Sequence, residues 1–393
     1  MKFIQPVEIT AEYKITTPMF LGGAFPTESI DSQQFRNASL KGALRFWWRA
    51  LNWGRVLKAS GGDEAAALKV LHAREGELFG KASDGKDSVQ SRVQLRSELR
   101  GSSQVGRGQT LHGLNYLLGM GLFSHKAKEP LFIKGTLRPY LSGGTLTLKA
   151  RLKPQTSQED IDSIKETLIT TGLFGAVGSR ARKGFGSLAI QWIEQSGQRR
   201  TFNDLQSILN CISMEFSASA DAPLSAFTRA SRIDVSASGT SALHLLIQVG
   251  QEMQAYRDGT VPNRDKENNF PEDRVRAKTA AEGKKISSLP QRAAFGLPHN
   301  YHWIGSPLEL ELSPKESSRN RRASPLLIHI HEFPNGQCIA IQTLLPGRFL
   351  PQGTEVELKG RHSNVLIDPA IEYQVIHTYL DRFKQRKVLR HAQ

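Results

Sequence analysis

The stretch GLFGAVGSRARKGFG, residues 172–186, combines five glycines with three cationic side chains and contains no carboxylate. Glycine adopts positive φ and lets backbone N–H groups come close to a ligand. An amphipathic segment precedes this glycine loop, and an apolar, strand-like run at residues 187–193 follows it. Nucleotide-binding loops have the order strand, glycine turn, helix, and the Walker type ends in Gly-Lys followed by Ser or Thr. Here Phe185 follows Gly184, so the pattern favours a loop that grips a nucleic-acid backbone.

The charge of the glycine loop comes from three neighbouring side chains. Cations at these positions would neutralise phosphates, a salt-sensitive contribution that does not depend on base sequence. Phe185 offers a flat face for a base or for the core. The alternative is a purely structural turn. The predicted RNA-contacting residues of the loop are Gly178, Ser179, Arg180, Arg182, Lys183, Gly184 and Phe185.

The overall composition points to a polyanionic partner. The 393 residues carry a net charge of +15, with a pI near 9.9, and their length predicts two domains. No apolar run approaches the roughly 20 residues that span a bilayer, and the N-terminal residues lack a signal-peptide pattern. Cys211 and Cys338 are too few and too far apart for a disulfide framework or a cysteine-type zinc site. We therefore expect a cytoplasmic protein with no membrane partner and no cofactor or metal.

A helix predicted over residues 40–58, with Ser39 as its N-cap, separates apolar from basic side chains. Its leucines and tryptophans share one arc, which places Trp47 and Trp48 in the core. Lys41, Arg45 and Arg49 form a second stripe at i, i+4 and i+8, where like charges repel one another. An RNA lying against the stripe would offset that repulsion, so we predict RNA contacts for these three and for Arg36. The alternative is a solvated cationic face.

The order of predicted elements defines the expected fold. Residues 7–15 and 145–152 alternate as strands, and Ser157 begins a helix with a capping-box-like pattern. Together, residues 1–200 give strand, helix, strand, strand, helix, strand, the βαββαβ order of a ferredoxin-like domain. Residues 201–393 predict a second, degenerate α+β domain with a charged insertion near 258–288 and a terminal helix over 369–387. The fold class is thus α+β, with tandem ferredoxin-like, RNA-recognition-like domains.

Several motifs resemble one known family. SLKGALRFWWR at residues 39–49, preceded by TPMFLGG at 17–23, closely resembles the first-subunit family of the Cmr complex, the type III-B CRISPR RNA-silencing effector. The glycine loop matches the glycine-rich signature of the RAMP superfamily, to which that family belongs. LFG at 78–80 with SRV at 91–93, FGLP at 295–298 and RASPL at 322–326 also fit. The charged residues 258–288 depart from the pattern.

The resemblance implies a non-catalytic, RNA-binding subunit in antiviral defence. Such a subunit would help to engage guide RNA and target RNA near the guide 3′ end, beside other Cmr subunits. Cleavage in these complexes resides in a different, repeated subunit. Two alternatives stay open: a metal-independent ribonuclease that processes guide precursors, and a scaffold that contacts only protein.

The residues themselves give the ribonuclease alternative little support. His329 and His331 share one face of a predicted strand, and His299 and His302 are close in sequence, but none has a partner at a defined spacing. No carboxylate cluster suggests a two-metal nuclease. The basic cluster at residues 319–322 fits a solvated loop and a subunit contact equally well.

Overall fold

The computed structural model describes residues 6–22, 35–82, 88–119, 121–124, 135–261, 264–303, 305–315, 321–360, 364–368 and 370–390. Gly23 of the predicted TPMFLGG motif, residues 262–263 of the charged insertion and residues 319–320 of the basic cluster lie outside these ranges.

The first half of the chain forms a five-stranded antiparallel sheet with helices on one face. Its elements are β1 (Val7–Ile15), α1 (Asn37–Ala59), α2 (Glu64–Phe79), β2 (Val93–Arg100), β3 (Ser103–Val105), α3 (Asn115–Leu118), β4 (Phe123–Ser124), β5 (Gly135–Thr136), β6 (Tyr140–Ser142), β7 (Thr145–Leu152), α4 (Gln158–Phe174), β8 (Leu188–Gln195) and β9 (Gln198–Thr201). The strand order is β2-β7-β1-β8-β9, and β3-β6 and β4-β5 form two small ribbons.

The second half contains two further four-stranded sheets. Its elements are α5 (Leu205–Leu209), β10 (Arg232–Gly239), α6 (Ala242–Asp258), α7 (Pro271–Ala281), a 3-10 turn (Gln291–Phe295), β11 (His299–His302), β12 (Glu309–Pro314), β13 (Leu326–Glu332), β14 (Cys338–Leu344), β15 (Val356–Gly360), β16 (Asn364–Ile367), α8 (Gln374–Asp381) and β17 (Lys387–Arg390). One sheet has the order β13-β14-β10-β17 and the other the order β11-β12-β15-β16.

The predicted strands and helices of the first half are confirmed where one face is regularly apolar. Residues 9, 11, 13 and 15 of β1 are all buried, while the residues between them are half-buried or exposed, as the period of two requires. The Ser157 side chain accepts from the amide of Asp160 and begins α4. The helix start at Ser39 is wrong, because α1 begins at Asn37 with Arg36 as its N-cap.

In the second half, the predicted helices are too long. The helix expected over 369–387 is α8, only Gln374–Asp381, and the chain then turns into β17, which pairs with β10. The segment from residue 203 to residue 214 is a further helix candidate by sequence, but it forms only the single turn α5. The charged insertion holds α7 at Pro271–Ala281. The α+β class, built from antiparallel sheets, is confirmed.

The two halves share one hydrophobic core. Trp47 of α1 and Phe174 at the end of α4 pack against Phe227, with ring centroids 6.3 and 6.1 Å apart. This cluster continues from β1 and β7 into β13 and β14. A second cluster lies between α6, α8 and β13, and a third lies beneath the β11-β12-β15-β16 sheet. The apolar arc predicted for α1 is therefore confirmed as core.

Candidate nucleic-acid interface

The glycine loop is anchored to the chain that leaves β1. The Ser179 amide donates to the Phe20 carbonyl at 2.8 Å, and the Gly186 amide donates to the Pro18 carbonyl at 2.9 Å. Gly178 has φ +104, and a Cβ there would lie 2.6 Å from the Phe20 oxygen. Only glycine allows this close approach between the two backbones.

The loop is also hydrogen-bonded to β13 of the second half. The Ile328 amide donates to the Arg182 carbonyl at 3.1 Å, and the Arg182 guanidinium donates to the Ser324 carbonyl at 2.5 Å. Beneath the loop, His329 Nδ1 lies 2.8 Å from the Gly175 carbonyl oxygen. Both halves of the chain thus fix the shape of the loop.

A cleft of about 490 Å³ opens between the glycine loop and the first turns of α1. The Arg182 guanidinium lies over the Phe46 ring at 4.9 Å, at the wall of this cleft. Burial, followed by the nearby Arg322, lowers the pKa of Arg182 to about 10, so the side chain stays charged at neutral pH. The cleft is lined by Gly22, Ser39, Ala43, Phe46, Trp47, residues 174–179, Ala181, Arg182 and Leu327.

The start of α1 contributes positive potential to the mouth of the cleft. Arg36 is exposed, and its guanidinium reaches the Gly22 carbonyl at 3.5 Å. No side chain caps the helix, and its first turn contains no acidic residue. Free N–H groups and the helix dipole favour an anion at such an end. Of the predicted residues, the structure brings Arg36, Gly178, Ser179 and Arg182 together here.

The basic stripe of α1 does not face this cleft. At 100° per residue, Lys41, Arg45 and Arg49 lie about 145° around the helix from the lining residues Ser39, Ala43, Phe46 and Trp47. Arg45 Nε and Arg49 Nη1 instead contact one oxygen of Glu75 on α2, at 2.6 and 2.5 Å. Glu75 is only 3% exposed. The protein itself supplies the anion for Arg45 and Arg49, and the stripe does not form one surface with the cleft side of the glycine loop.

Lys41 is half-buried at the N-terminal end of the stripe, where no described carboxylate pairs with it. Partial burial and the neighbouring Arg45 lower the pKa of Lys41. The stripe therefore keeps one cation beyond the two that Glu75 binds, and that cation also lies away from the cleft.

Gly184 and Phe185 lie inside the protein, which corrects their prediction as RNA contacts. The Phe185 ring is 0% exposed and packs edge-on against Phe20 with centroids 5.7 Å apart. A Cβ on Gly184 would lie 2.6 Å from Leu246 Cδ1 and 3.0 Å from Ile328 Cγ2. The end of the glycine loop is needed for packing against the second half.

Arg180 and Lys183 point to the opposite side of the loop from Arg182. Arg180 has φ +62, and its Nε donates to the Leu118 carbonyl at 2.7 Å. Lys183 Nζ lies 3.6 Å from Met253 Sδ on α6. The two cations face α3 and α6 rather than the α1 cleft.

Of the four histidines considered as general bases, His329 and His331 are buried, whereas His299 is half-buried and His302 is exposed. His329 and His331 are 1% and 0% exposed, beneath the glycine loop. Burial lowers the pKa of His329 to about 4 despite its bond to Gly175. Burial, followed by the neighbouring His329, lowers the pKa of His331 well below its ordinary range. Across the described ranges, no three His, Cys, Asp or Glu side chains are grouped to hold a metal ion. No described helix is long and apolar enough to cross a membrane.

Sequence reasoning missed the residues that form the cleft wall and the counter-ion of the stripe. Ser39, Ala43 and Phe46 recur on one helical face, and two small residues beside a tryptophan arc were the available signal. Glu75 had no such signal, because its contact with α1 depends on how α2 packs. Of the basic cluster, Arg321 is exposed and Arg322 donates to the Arg348 carbonyl at 3.2 Å.

Comparison with known proteins finds a family that the first half of the chain resembles. Residues 12–189 match the model of the RAMP superfamily. The match covers a little under half of the chain, and over that segment the chain is similar to this superfamily. The matched segment begins in β1 and ends in β8, so it includes α1 and the whole glycine loop.

Individual relatives of the chain agree with the resemblance expected from its motifs. It is 24% identical over 198 residues to the CRISPR system Cmr subunit Cmr1-2 of Pyrococcus furiosus, covering 48% of this chain and 97% of the relative. The crystal structure of Cmr1 from Pyrococcus furiosus in its apo form matches with a TM-score of 0.52 and 18% identity, over 98% of this chain and 99% of that one. A cryo-EM structure of the type III-B Cmr-beta complex bound to cognate target RNA has a chain that matches with a TM-score of 0.52 and 14% identity, over 97% and 99%. The structural matches show a common fold.

Proposed function

We propose that this chain is a RAMP-superfamily member that acts as a non-catalytic RNA-binding subunit of a type III-B CRISPR effector complex. It would engage guide RNA and target RNA near the guide 3′ end, in the cytoplasm, beside other Cmr subunits. The observation that carries the proposal is the cleft between α1 and the glycine loop. Arg36 lies at the mouth of this cleft and Arg182 lines its wall, and neither forms an ion pair with a described carboxylate.

The chemistry of the cleft suits a single-stranded backbone rather than a particular base sequence. Arg182 offers a charged fork held rigidly by Ser324 and Phe46, and the uncapped start of α1 offers amide donors. The aromatic wall at Phe46 gives a base a surface on which to stack. Binding would be strongly salt-dependent and nearly independent of sequence.

The strand orders support the tandem ferredoxin-like architecture that belongs to this proposal. In the first sheet, β2-β7-β1-β8 are the second, third, first and fourth core strands, with α1 and α4 as the crossover helices. In the second, β13-β14-β10-β17 repeat this order with α6 and α8. The units would span residues 1–200 and 201–393, and the third sheet would be an insertion into the second unit.

The experiment measures binding of a short fluorescein-labelled single-stranded RNA by anisotropy over a range of salt concentrations. Ala43→Phe, which fills the cleft, and Arg182→Gln, which removes a phosphate partner, should each weaken binding for every sequence. Arg151→Gln is the matched control, because this exposed cation lies on the open face of the first sheet. If the control weakens binding and the cleft variants do not, RNA binds the sheet face and the cleft assignment is wrong.

The ribonuclease and scaffold alternatives make different predictions. Discrete cleavage of repeat-containing RNA in EDTA, lost in His329→Ala or His331→Ala, would favour a guide-processing enzyme. The burial of both rings speaks against that role, since a general base must reach the substrate. Crosslinks from residues 36–58 and 172–186 to protein alone would favour a scaffold.

A further inference from the structure

On the side away from the α1 cleft, the glycine loop carries two further cations, Arg180 and Lys183. Lys183 Nζ lies 3.6 Å from Met253 Sδ, and one helical turn later α6 places Arg257 in the same region. The Arg257 guanidinium lies 4.8 Å from the Phe295 ring and 5.9 Å from the Tyr116 ring. Arg180 extends from the loop toward the same α3 segment. Three cations from two distant parts of the sequence therefore meet on the side away from the α1 cleft.

Two of these three cations, Lys183 and Arg257, have no counter-ion among the described residues. In addition, Arg257 Nε is buried without a hydrogen-bond partner among them. A buried donor left unpaired costs free energy, and a buried charge costs more. A ligand that supplied the missing acceptor would offset this cost.

The neighbouring acidic groups are already engaged elsewhere. The Asp258 carboxylate accepts from the Thr260 hydroxyl at 2.6 Å. The two Asp273 oxygens accept from the amides of Gln291 and Arg292 at 2.7 and 2.9 Å. These hydrogen bonds leave both carboxylates charged, but neither forms an ion pair with Arg257.

Burial is the main reason why Lys183 binds its proton weakly, and the charges facing it add to the effect. Those charges are Arg257 from α6 and Arg180 and Arg182 from the loop itself, and together with burial they lower the pKa of Lys183 to about 7. From β13, the residue packed against this position is the apolar Ile328. An anion bound here would favour the protonated amine.

Resting on the RNA-binding function proposed above, we propose that Arg257, Lys183 and Arg180 form a second phosphate site, which holds the RNA backbone where it leaves the cleft. Adjacent residues Arg182 and Lys183 point to opposite sides of the loop, so a strand that crosses the loop meets first one site and then the other. A guanidinium fork and an ammonium group match phosphate oxygens, and half-burial leaves both within reach of a ligand.

The site predicts proton uptake when RNA binds. The amine of the free protein titrates near pH 7, and a bound phosphate raises its pKa. Affinity is therefore highest below pH 7 and falls as pH rises from about 7 toward the pKa of the complex. Lys183→Met removes the proton while keeping an apolar chain of similar length, so it should flatten this pH dependence.

The test uses the full-length chain and the same labelled RNA, between about pH 6 and about pH 9. Arg257→Gln and Lys183→Met should each weaken binding about tenfold at pH 6 and low salt, as expected for a charge-assisted contact. Arg257→Gln should also reduce the slope of log affinity against log salt by about one. Lys359→Gln, an exposed cation on β15, controls for the loss of net charge and should match wild type.

The outcomes separate this inference from the function on which it rests. If Arg182→Gln weakens RNA binding while Arg257→Gln and Lys183→Met match Lys359→Gln, the second site does not exist and the cleft stands. If wild type binds no RNA, the proposed function itself fails and the second site with it. Inorganic phosphate is titrated separately by thermal shift: stabilisation abolished by Arg257→Gln, with unchanged RNA affinity, would assign the site to a free anion and overturn the proposal. A folding defect in Arg257→Gln is recognised by circular dichroism, and Lys183→Met then decides.

Discussion

Glu75→Gln tests whether the basic stripe of α1 is structural. The substitution keeps the shape of a side chain that is 3% exposed but removes the charge that binds both Arg45 and Arg49. Breaking a buried ion pair by removing one partner costs about 3–5 kcal/mol. Because both arginines are 34% exposed and water screens them, we expect a loss at or just below the lower end of this range, about 2–3 kcal/mol.

Urea unfolding followed by the fluorescence of the α1 tryptophans measures this loss. RNA affinity of the folded variant should not change, because the arginines point away from the cleft. Glu98→Gln is the control: its carboxylate pairs with Arg100 on the exposed face of β2, and the unfolding midpoint should stay at the wild-type value. An unfolding free energy for Glu75→Gln within about 0.5 kcal/mol of wild type, or a clear change in RNA affinity, would refute the structural role of the stripe.

Three further predictions concern the glycine loop and the histidines beneath it. Gly178→Ala should weaken both folding and RNA binding. Gly197→Ala is the control: this glycine also has positive φ, but open space surrounds it, so the substitution should cost only about 1 kcal/mol of stability. Equal effects of the two substitutions would show that the close contact between Gly178 and Phe20 is not the cause. Gly184→Ala should lower the unfolding temperature, because the new Cβ would clash with Leu246. The RNA affinity of the folded fraction should not change. Weaker RNA binding at wild-type stability would instead indicate that Gly184 contacts RNA. Because burial places the pKa of His329 near 4, below its ordinary 6.5, its contribution to stability is complete above pH 6.5 and declines as pH falls toward 4. His329→Asn, which keeps a donor toward Gly175, should flatten that decline in urea unfolding measured across pH, and an unchanged pH profile would contradict the assignment.

Local periodicity was sufficient to predict the elements whose burial repeats regularly. β1 and β7 alternate along their whole length, and α1 carries a continuous apolar arc, so their form is set by residues close in sequence. β17 shows the opposite case. Its four residues, Lys387–Arg390, carry no apolar alternation of their own and become a strand only because β10 offers an open edge.

The candidate site was predictable in its location but not in its orientation. The composition of the glycine loop indicated a closely approached backbone, because positive φ and small side chains are local properties. The structure shows such an approach to residues 18 and 20 of the protein, and contact with RNA stays a prediction. Which side each cation faces depends on α2, α6 and β13, which lie far away in sequence. For this reason Arg45 was expected at an RNA surface and is bound by Glu75, while Arg257 carried no signal and lies beside Lys183.

The hydrogen bond from the Ile328 amide to the Arg182 carbonyl has a consequence for how variation in this chain acts. Through this bond, a shift of β13 moves the peptide group between Arg182 and Lys183, whose side chains face opposite sides of the loop. A change at Ile328 or at a neighbouring position of that strand, more than a hundred residues from the loop, would alter nucleic-acid affinity without touching the ligand. By thermodynamic reciprocity, a ligand seated on the loop must slow hydrogen exchange at that amide, which makes it an internal reporter of occupancy.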